Sequence, residues 1–198
     1  MKEILVFADW HYLPKTFDMG VLRSEFIRGE EVFSFEYSKS WLESGHCQEI
    51  DPDLKLFTGP QYLNDQKPNF GLFLDSSPDR WGRMLMDRRA AIEARASGKP
   101  FKRLRESDYL LGVNDFSRMG AIRFKSEQEG NFLANNAGTE IPPIGDIREL
   151  EQASLHLEDD DFFEDRESRR WLQVLFAPGS SLGGARPKAS VKDTAGLV

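Results

Sequence analysis

The sequence is poor in the side chains that build disulfides and zinc sites. It has one cysteine, Cys47, and three histidines, His11, His46 and His156. A single cysteine excludes an intramolecular disulfide, and these four residues have no zinc-type spacing. No apolar run approaches the length of a membrane span, and Met1-Lys2-Glu3 followed by a short strand-like pattern is unlike a signal peptide. These absences predict a cytoplasmic protein without a metal site or membrane contact.

Positive charge is also scarce, except in one region. The chain carries 26 Lys and Arg against 33 Asp and Glu, a net charge of -7, which argues against direct nucleic-acid binding. Between residues 80 and 105, however, the sequence contains nine basic residues and only two acidic ones. We expect Arg80, Arg83, Arg88 and Arg89 there to contact a partner. The alternative, that they form the solvated side of an amphipathic helix, stays open.

Alternating apolar residues in the first 60 positions predict strands. The alternation begins at Ile4 and Val6, and the stretches 21–27 and 32–37 flank Arg28-Gly29-Glu30, which is typical of a hairpin turn. The second stretch places Phe33, Phe35 and Tyr37 on one face. Because the opposite face lacks basic residues, this row of rings is predicted to lie in the core rather than to stack on bases.

Helix signals begin at Ser77-Pro78-Asp79, which offers a cap residue, a proline for the first helical position and an acid for the first turn. Ser97-Gly98 followed by Pro100 predicts the end of this helix. Beyond it, the patterns predict a short helix over 108–113 and a strand over 120–125.

The next part of the sequence predicts a linker and two further helices. Residues 127–145 are polar and contain three glycines and two prolines, as is typical of a linker. Asp146-Ile-Arg-Glu149 then resembles a capping box at the start of a helix. A last helix is predicted over 163–176, where Pro178-Gly179 follows and ends it.

The stretch from Gly179 to Lys188 combines three glycines and two serines with a terminal lysine. Such a loop can turn consecutive backbone N–H groups toward an anion, and the lysine adds a counter-charge. It matches neither the Walker A pattern nor the G-x-G-x-x-G spacing. From the residues alone, a phosphate-binding loop and a plain surface turn both stay open.

Three stretches in the same order resemble the HipA-like serine/threonine kinases. Gly179-Ser-Ser-Leu-Gly-Gly-Ala-Arg-Pro-Lys188 resembles their nucleotide-binding loop, and Phe70-Gly-Leu-Phe-Leu-Asp-Ser-Ser-Pro-Asp-Arg-Trp-Gly-Arg83 resembles their Leu-Pro-Asp helix-start segment in a variant form. Glu106-Ser-Asp-Tyr-Leu-Leu-Gly-Val-Asn-Asp-Phe-Ser-Arg-Met-Gly-Ala-Ile-Arg-Phe124 looks like the segment that precedes their kinase core. Within it, the resemblance makes Asp115-Phe-Ser-Arg118 a turn with a structural role.

The resemblance implies an α+β fold in three parts. A strand-rich N-terminal subdomain with helices is expected over residues 1–125, and a linker over 126–145. The first helices and the glycine-rich loop of a HipA-type kinase core are then expected over 146–198.

The resemblance also implies how the loop works. In the family its backbone covers the phosphates of ATP, and ATP with Mg²⁺ is expected in the complete kinase. The matching positions are Gly183, Gly184, Ala185, Arg186, Pro187 and Lys188. The family autophosphorylates a serine at the front edge of the loop, which corresponds to Ser181, with Ser180 as a neighbouring candidate. A phosphate there adds roughly two negative charges and would repel ATP.

The catalytic groups of the family lie beyond the loop, and this sequence ends at Val198. Phosphoryl transfer needs an ATP-anchoring lysine, a catalytic aspartate and metal-binding residues. We therefore expect these residues alone to be inactive, as the front part of a toxin kinase. Its expected partners are a small DNA-binding, HipB-like antitoxin and a protein substrate of the translation machinery. The alternative is a catalytically silent module that binds a partner kinase subunit or an antitoxin through the basic region, as one half of a split system.

Overall fold

The chain combines strands and helices, as described by a computed structural model for residues 1–63, 67–115, 118–133 and 147–158 with Leu175, Gly184 and Arg186. The strands are β1 (Lys2–Ala8), β2 (Phe17–Ile27), β3 (Glu30–Tyr37), β4 (Gln61–Tyr62) and β5 (Ile122–Lys125). The helices are α1 (Lys39–Leu42), α2 (Gly71–Asp75), α3 (Arg80–Ala96), α4 (Glu106–Gly112) and α5 (Ile147–Glu158). This mixed content agrees with the predicted α+β class.

Two compact units make up the chain, and each is assembled from separate stretches. Unit 1 comprises Met1–Ser77, Arg105–Leu111 and Met119–Ala134. Unit 2 comprises Pro78–Leu104, Gly112–Arg118 and Asn135–Val198. The whole sheet therefore belongs to unit 1, whereas α3 and α5 belong to unit 2. The predicted domain boundaries at residues 125 and 145 stay a prediction.

The five strands form one antiparallel sheet in the order β4-β3-β2-β1-β5. Strands β2 and β3 make the predicted hairpin, in which Ile27 lies opposite Glu30 and leaves Arg28 and Gly29 as a two-residue turn. Both turn residues have a positive φ, 52° and 93°. This combination is favoured because its twist matches that of the flanking strands.

One face of the sheet carries the core of unit 1. Phe33, Phe35 and Tyr37 are all buried there, which confirms their predicted place in the core. The Phe35 ring lies edge-on to Tyr37 at a centroid distance of 4.9 Å and contacts Phe73 of α2 at 5.4 Å. Burial of such a ring stabilises the fold by roughly 1.5–3 kcal/mol. These contacts hold α2 against the sheet.

Strand β3 lies directly against Gly20 of β2. Its φ is +154°, and a Cβ atom added there would lie 2.2 Å from the carbonyl oxygen of Glu36. The register between β1 and β2 also shifts nearby, between Val6 and Phe7. Because main chain fills the space that a side chain would need, this position requires glycine.

Helix α3 begins two residues later than the sequence pattern predicts. The prediction put the cap at Ser77, but Asp79 is the N-cap, and its Oδ1 accepts a hydrogen bond from the N–H of Gly82 at 2.7 Å. The Ser77 hydroxyl instead donates to the carbonyl of Phe73 at 2.8 Å, so it is engaged with the preceding helix. The predicted end of α3 is confirmed, since Gly98 follows the C-cap with φ +67°.

Helix α2, which the sequence pattern does not predict, depends on a remote side chain. Its N-cap residue, Phe70, makes no side-chain cap hydrogen bond. The buried carboxylate of Asp51 takes that role, since Oδ2 accepts from the N–H of Leu72 at 2.7 Å. Its Oδ1 accepts from the N–H of Asp53 at 2.9 Å. The cap therefore comes from a part of the chain far from the helix in sequence.

The remaining predicted elements lie partly outside the described residues. Helix α4 and strand β5 lie within about two residues of the predicted stretches 108–113 and 120–125. Helix α5 follows the predicted linker, but Asp146 of the capping box is outside the described residues. So is the predicted last helix, 163–176, apart from Leu175, which is helical and buried.

Candidate functional site

The glycine-rich loop is described at two positions, Gly184 and Arg186, and both are exposed. The other residues assigned to the loop by resemblance lie outside the described residues: Ser180, Ser181, Gly183, Ala185, Pro187 and Lys188. Their expected roles in nucleotide binding and autophosphorylation stay predictions. The contacts of Gly184 therefore define what is known of the position of the loop.

Gly184 connects the loop to the start of α3. Its carbonyl oxygen accepts a hydrogen bond from the main-chain N–H of Trp81 at 3.3 Å. Its φ is +107°, in a region that residues with a side chain rarely adopt. The first N–H groups of a helix have no partner within the helix, so a carbonyl from elsewhere can satisfy one of them. Gly184 meets both requirements, an unusual backbone conformation and a correctly placed acceptor.

The first turn of α3 is closed by acceptors around it. Asp79 accepts from the N–H of Gly82, Gly184 accepts from the N–H of Trp81, and the Arg83 Nε donates to the carbonyl of Pro78 at 3.1 Å. The negative carboxylate of Asp79 is also favourable beside the positive end of the helix dipole. The N–H groups of Trp81 and Gly82 in the first turn of α3 therefore both have acceptors. Because the Trp81 acceptor is the Gly184 carbonyl, the start of α3 anchors the loop at that residue.

The start of α3, which anchors the loop, is part of the core of unit 2. The Trp81 side chain is only 3% exposed and packs in a cluster with Leu85 of the same helix. Leu150 and Ala153 of α5 and the isolated Leu175 complete this cluster. The residue that donates to Gly184 through its main chain is thus fixed by its buried ring. A fixed donor places the Gly184 carbonyl at a defined position.

The four arginines predicted as a partner-binding surface have different surroundings. Arg80 is exposed at the first residue of α3, whereas Arg83 reaches back to a main-chain carbonyl. The Arg89 Nε pairs with the carboxylate four residues later at 2.6 Å, and Arg88 is half-buried with interactions of its own. The helix thus presents separate guanidinium groups rather than one uniform basic face. Partner binding by these residues stays a prediction.

Arg118 is a buried charge that the sequence pattern did not reveal. It is 8% exposed, and its Nη2 donates to the carbonyl of Val113 at 2.9 Å. Burial lowers the pKa of the Arg118 guanidinium to about 10, an effect that the nearby Asp115 carboxylate opposes. The hydrogen bond links Arg118 to Val113, and the structural role expected for the stretch from Asp115 to Arg118 stays a prediction. An arginine in a polar turn looks the same in sequence whether it is buried or solvated.

Tyr37 lies in the core of unit 1, and Cys47 packs against that core. Burial raises the pKa of the half-buried Cys47 thiol. Burial also raises the pKa of the Tyr37 hydroxyl, and the charges of Cys47, Asp51 and Glu49 add to this. A thiol with a raised pKa carries little thiolate at neutral pH. Cys47 therefore lacks the activation that a catalytic nucleophile needs.

Two kinds of site are absent from the described ranges. No group of three or more His, Cys, Asp or Glu residues is placed there so that it could hold a metal ion. No helix in the described part of the chain is both long and apolar enough to cross a membrane.

No protein family model matches the chain, and no curated protein matches it. The likeness to HipA-like kinases therefore rests on the three stretches of sequence alone.

Proposed function

We propose that the chain is the front part of a HipA-like serine/threonine kinase whose glycine-rich loop covers the phosphates of ATP. The hydrogen bond from Trp81 to Gly184 carries this proposal. It links the helix-start stretch and the glycine-rich stretch, two of the three sequences on which the resemblance rests. A surface turn unrelated to α3 would have no reason to complete its first turn. The contact thus supports a loop with a set position.

The composition of the loop suits a phosphate ligand. Gly183 and Gly184 allow the main chain to approach closely, and a positive φ such as that of Gly184 can direct N–H groups inward. Arg186 is exposed, and Lys188 adds a second positive charge. Pro187 has no N–H, so the loop cannot donate from every position. Phosphorylation of Ser181 or Ser180 would repel the nucleotide phosphates and limit activity.

The other parts of the proposal follow from the family. The complete kinase would use ATP and Mg²⁺, with a catalytic aspartate supplied outside these residues. It would act in the cytoplasm as a toxin on a protein of the translation machinery. A small DNA-binding antitoxin would restrain it.

Nucleotide binding tests the loop directly. We expect ATP with Mg²⁺ to shift the NMR signals of Gly184 and Arg186 only at a Kd of about 1 mM or weaker, because most contacts of a kinase ATP site come from its other lobe. Gly184→Ala should abolish the shifts. Gly98→Ala is the matched control, since Gly98 also has a positive φ but ends α3 away from its start. Sub-micromolar binding by the chain alone would contradict the expectation.

Phosphorylation tests the kinase identity. The chain, and the chain joined to the coding sequence that follows it, would be incubated with ATP and Mg²⁺ and analysed by mass spectrometry. We expect phosphate on Ser181 or Ser180 in the extended form alone, and none after both are replaced by alanine. Ser126→Ala, at an exposed serine of unit 1, should change nothing. Absence of phosphate in a folded extended form would overturn the proposal.

A second candidate function is a catalytically silent interaction module. The exposed positions of Arg80 and Arg95 on α3 favour it, because both lie in the basic region. Replacing both by glutamate should abolish binding to the protein encoded beside this one, whereas Arg28→Glu in the hairpin turn should not. Loss of binding together with unphosphorylated serines would favour the module. Phosphate on Ser181 would favour the kinase.

A further inference from the structure

A run of basic residues without an acid follows the end of α3. Between Glu93 and Glu106 the sequence contains no Asp or Glu. Within this interval, residues 99–103, Lys-Pro-Phe-Lys-Arg, are exposed and have neither helical nor strand structure. We name these five residues the basic loop. All of them belong to the described part of unit 2.

The charged groups of the basic loop are available to a ligand. Lys99, Lys102 and Arg103 make no ion pair with any residue in the described ranges. The acid that precedes them in the sequence, Glu93, does not neutralise them, because its carboxylate pairs with Arg89 at 2.6 Å. The loop therefore presents three positive charges in five residues.

Capping of α3 does not account for these charges. The main-chain N–H of Gly98 donates to the carbonyl of Arg95 at 3.1 Å. The main-chain N–H of Lys99 donates to the carbonyl of Ala94 at 2.9 Å. Positive side chains favour a helix C-terminus only within its last turn, whereas the last two basic residues of the loop lie five and six positions after the C-cap. The main chain ends the helix, and the side chains of the loop are left for other contacts.

An aromatic ring lies between the basic residues. Phe101 is 54% exposed and separates Lys99 from Lys102. Nucleic-acid bases stack on aromatic rings, while basic side chains on either side hold the phosphates of the strand. The ring row of β3, which has no interleaved basic residues, is buried in the core of unit 1. The basic loop differs from that row in both respects, exposure and neighbouring charge.

The net charge of the chain limits this binding without excluding it. At -7, the protein as a whole repels a polyanion. At an ionic strength of 0.1 M, however, exposed charges more than about 10 Å apart are largely screened from each other. A short strand at the basic loop therefore responds mainly to the local positive charge. The affinity should be modest and should depend strongly on salt.

We propose that the basic loop binds single-stranded nucleic acid. One base stacks on Phe101, and Lys99, Lys102 and Arg103 contact the phosphates beside it. An acidic polypeptide would satisfy the three charges, but it would offer no base to the ring between them. The interleaved ring thus selects nucleic acid as the occupant. This binding does not depend on the kinase proposal.

Fluorescence anisotropy of a labelled strand of ten thymidine nucleotides tests the proposal with the full chain. We expect saturable binding with a Kd of about 10–100 µM in 50 mM salt. Three phosphate contacts predict that the logarithm of the affinity falls with a slope of about -2 against the logarithm of the salt concentration. Raising the salt to 200 mM should therefore weaken binding about fifteenfold.

Removing two of the charges tests the phosphate contacts. Lys102→Gln with Arg103→Gln should lower the affinity about fivefold or more in 50 mM salt and reduce the slope to about -0.7, the value for one contact. Lys15→Gln with Lys39→Gln is the matched control, since it removes the same charge at exposed positions of unit 1. It should change the affinity less than about twofold. All four positions are exposed, so both variants should fold, which circular dichroism would verify.

Removing the ring tests the stacking contact separately. Phe101→Ala should lower the affinity for the thymidine strand about fivefold or more and leave the salt slope unchanged, because the ring carries no charge. Phe57→Ala, at a phenylalanine of unit 1 that is 49% exposed, should have no effect. A strand of ten abasic nucleotides has the phosphates but no bases. It should bind the unmodified chain and the Phe101→Ala variant equally weakly.

Four results would overturn the proposal. They are no binding of the thymidine strand, an unchanged affinity in the Lys102 and Arg103 variant, an unchanged affinity in Phe101→Ala, and equal binding of the thymidine and abasic strands by the unmodified chain. Binding of a ten-residue polyglutamate as tight as that of the thymidine strand would instead assign the basic loop to an acidic polypeptide.

Discussion

Different kinds of contact stabilise the two units. In unit 1, continuous strand pairing and a row of buried rings hold the sheet, and the alternation that creates both is present in the local sequence. In unit 2, the start of α3 is completed by Asp79 and by Gly184, which lies far along the chain. A local pattern can therefore specify the surface of a sheet, whereas the position of Gly184 in the candidate loop depends on one contact with a residue remote in sequence.

Gly20→Ala is the substitution that we expect to destabilise unit 1 most. The added methyl group would lie 2.2 Å from the carbonyl oxygen of Glu36, which is main chain and cannot move aside without disrupting strand pairing. We expect the free energy of unfolding to fall by about 3 kcal/mol or more. Urea denaturation followed by circular dichroism would measure it.

Gly29→Ala is the matched control for that change. Gly29 also has a positive φ, +93°, but nothing lies within 4 Å of an added Cβ. The free energy of unfolding should therefore fall only by the cost of holding alanine at a positive φ, which is about 1 kcal/mol. If the two variants lost equal stability, the close approach of β2 and β3 at Gly20 would not be the cause.

The matching test of unit 2 is Asp79→Ala. Removing the cap leaves the N–H of Gly82 without its acceptor and should cost about 1 kcal/mol. Because the same helix turn holds Gly184, hydrogen exchange of the Trp81 and Gly82 amides should also become faster. Hydrogen exchange followed by NMR would measure both amides.

Asp79→Ser supplies the control, since serine is also a good cap residue. It should keep most of the stability and of the amide protection. Faster exchange at Gly82 alone, with Trp81 unchanged, would mean that the Gly184 contact is independent of the cap. That result would weaken the contrast between the two units.

Sequence reasoning was successful where neighbouring residues determine the structure. The hairpin at Arg28-Gly29, the buried ring of Phe35 and the end of α3 at Gly98 all follow from local patterns. It was wrong about the cap of α3, because the choice between Ser77 and Asp79 depends on a bond that Ser77 makes to the preceding helix.

Contacts between residues that are distant in sequence could not be predicted from local patterns. The carboxylate of Asp51 caps α2 from a distant part of the chain, and Arg118 is buried although its sequence surroundings are polar. For the candidate site, the sequence pointed to the stretches around Trp81 and Gly184 separately. Their hydrogen bond joins positions that no periodicity connects, so only the three-dimensional structure could reveal it.

A smaller effect is expected at Cys47 in alkaline solution. Burial raises the pKa of its thiol, so the folded state favours the neutral form. This contribution to stability is fully present below the pKa of the thiol in the unfolded chain and is lost as the pH rises through the higher pKa of the folded chain. A thiol reagent should therefore react with the native chain at a higher pH midpoint than with the urea-unfolded chain. Equal midpoints would contradict the burial effect, and Cys47→Ser provides the blank.

The smallest effect is expected for Tyr37→Phe. The Tyr37 side chain is 3% exposed, and its hydroxyl has no hydrogen-bond partner in the part of the chain that the structure describes. The ring contact with Phe35 at 4.9 Å survives the change. Removing an unpartnered buried hydroxyl should leave the free energy of unfolding unchanged or raise it by up to about 1 kcal/mol. Tyr62→Phe, on the exposed face, should be neutral. A loss above about 1 kcal/mol for Tyr37→Phe would show that the core of unit 1 depends on a polar contact, as the start of α3 does in unit 2.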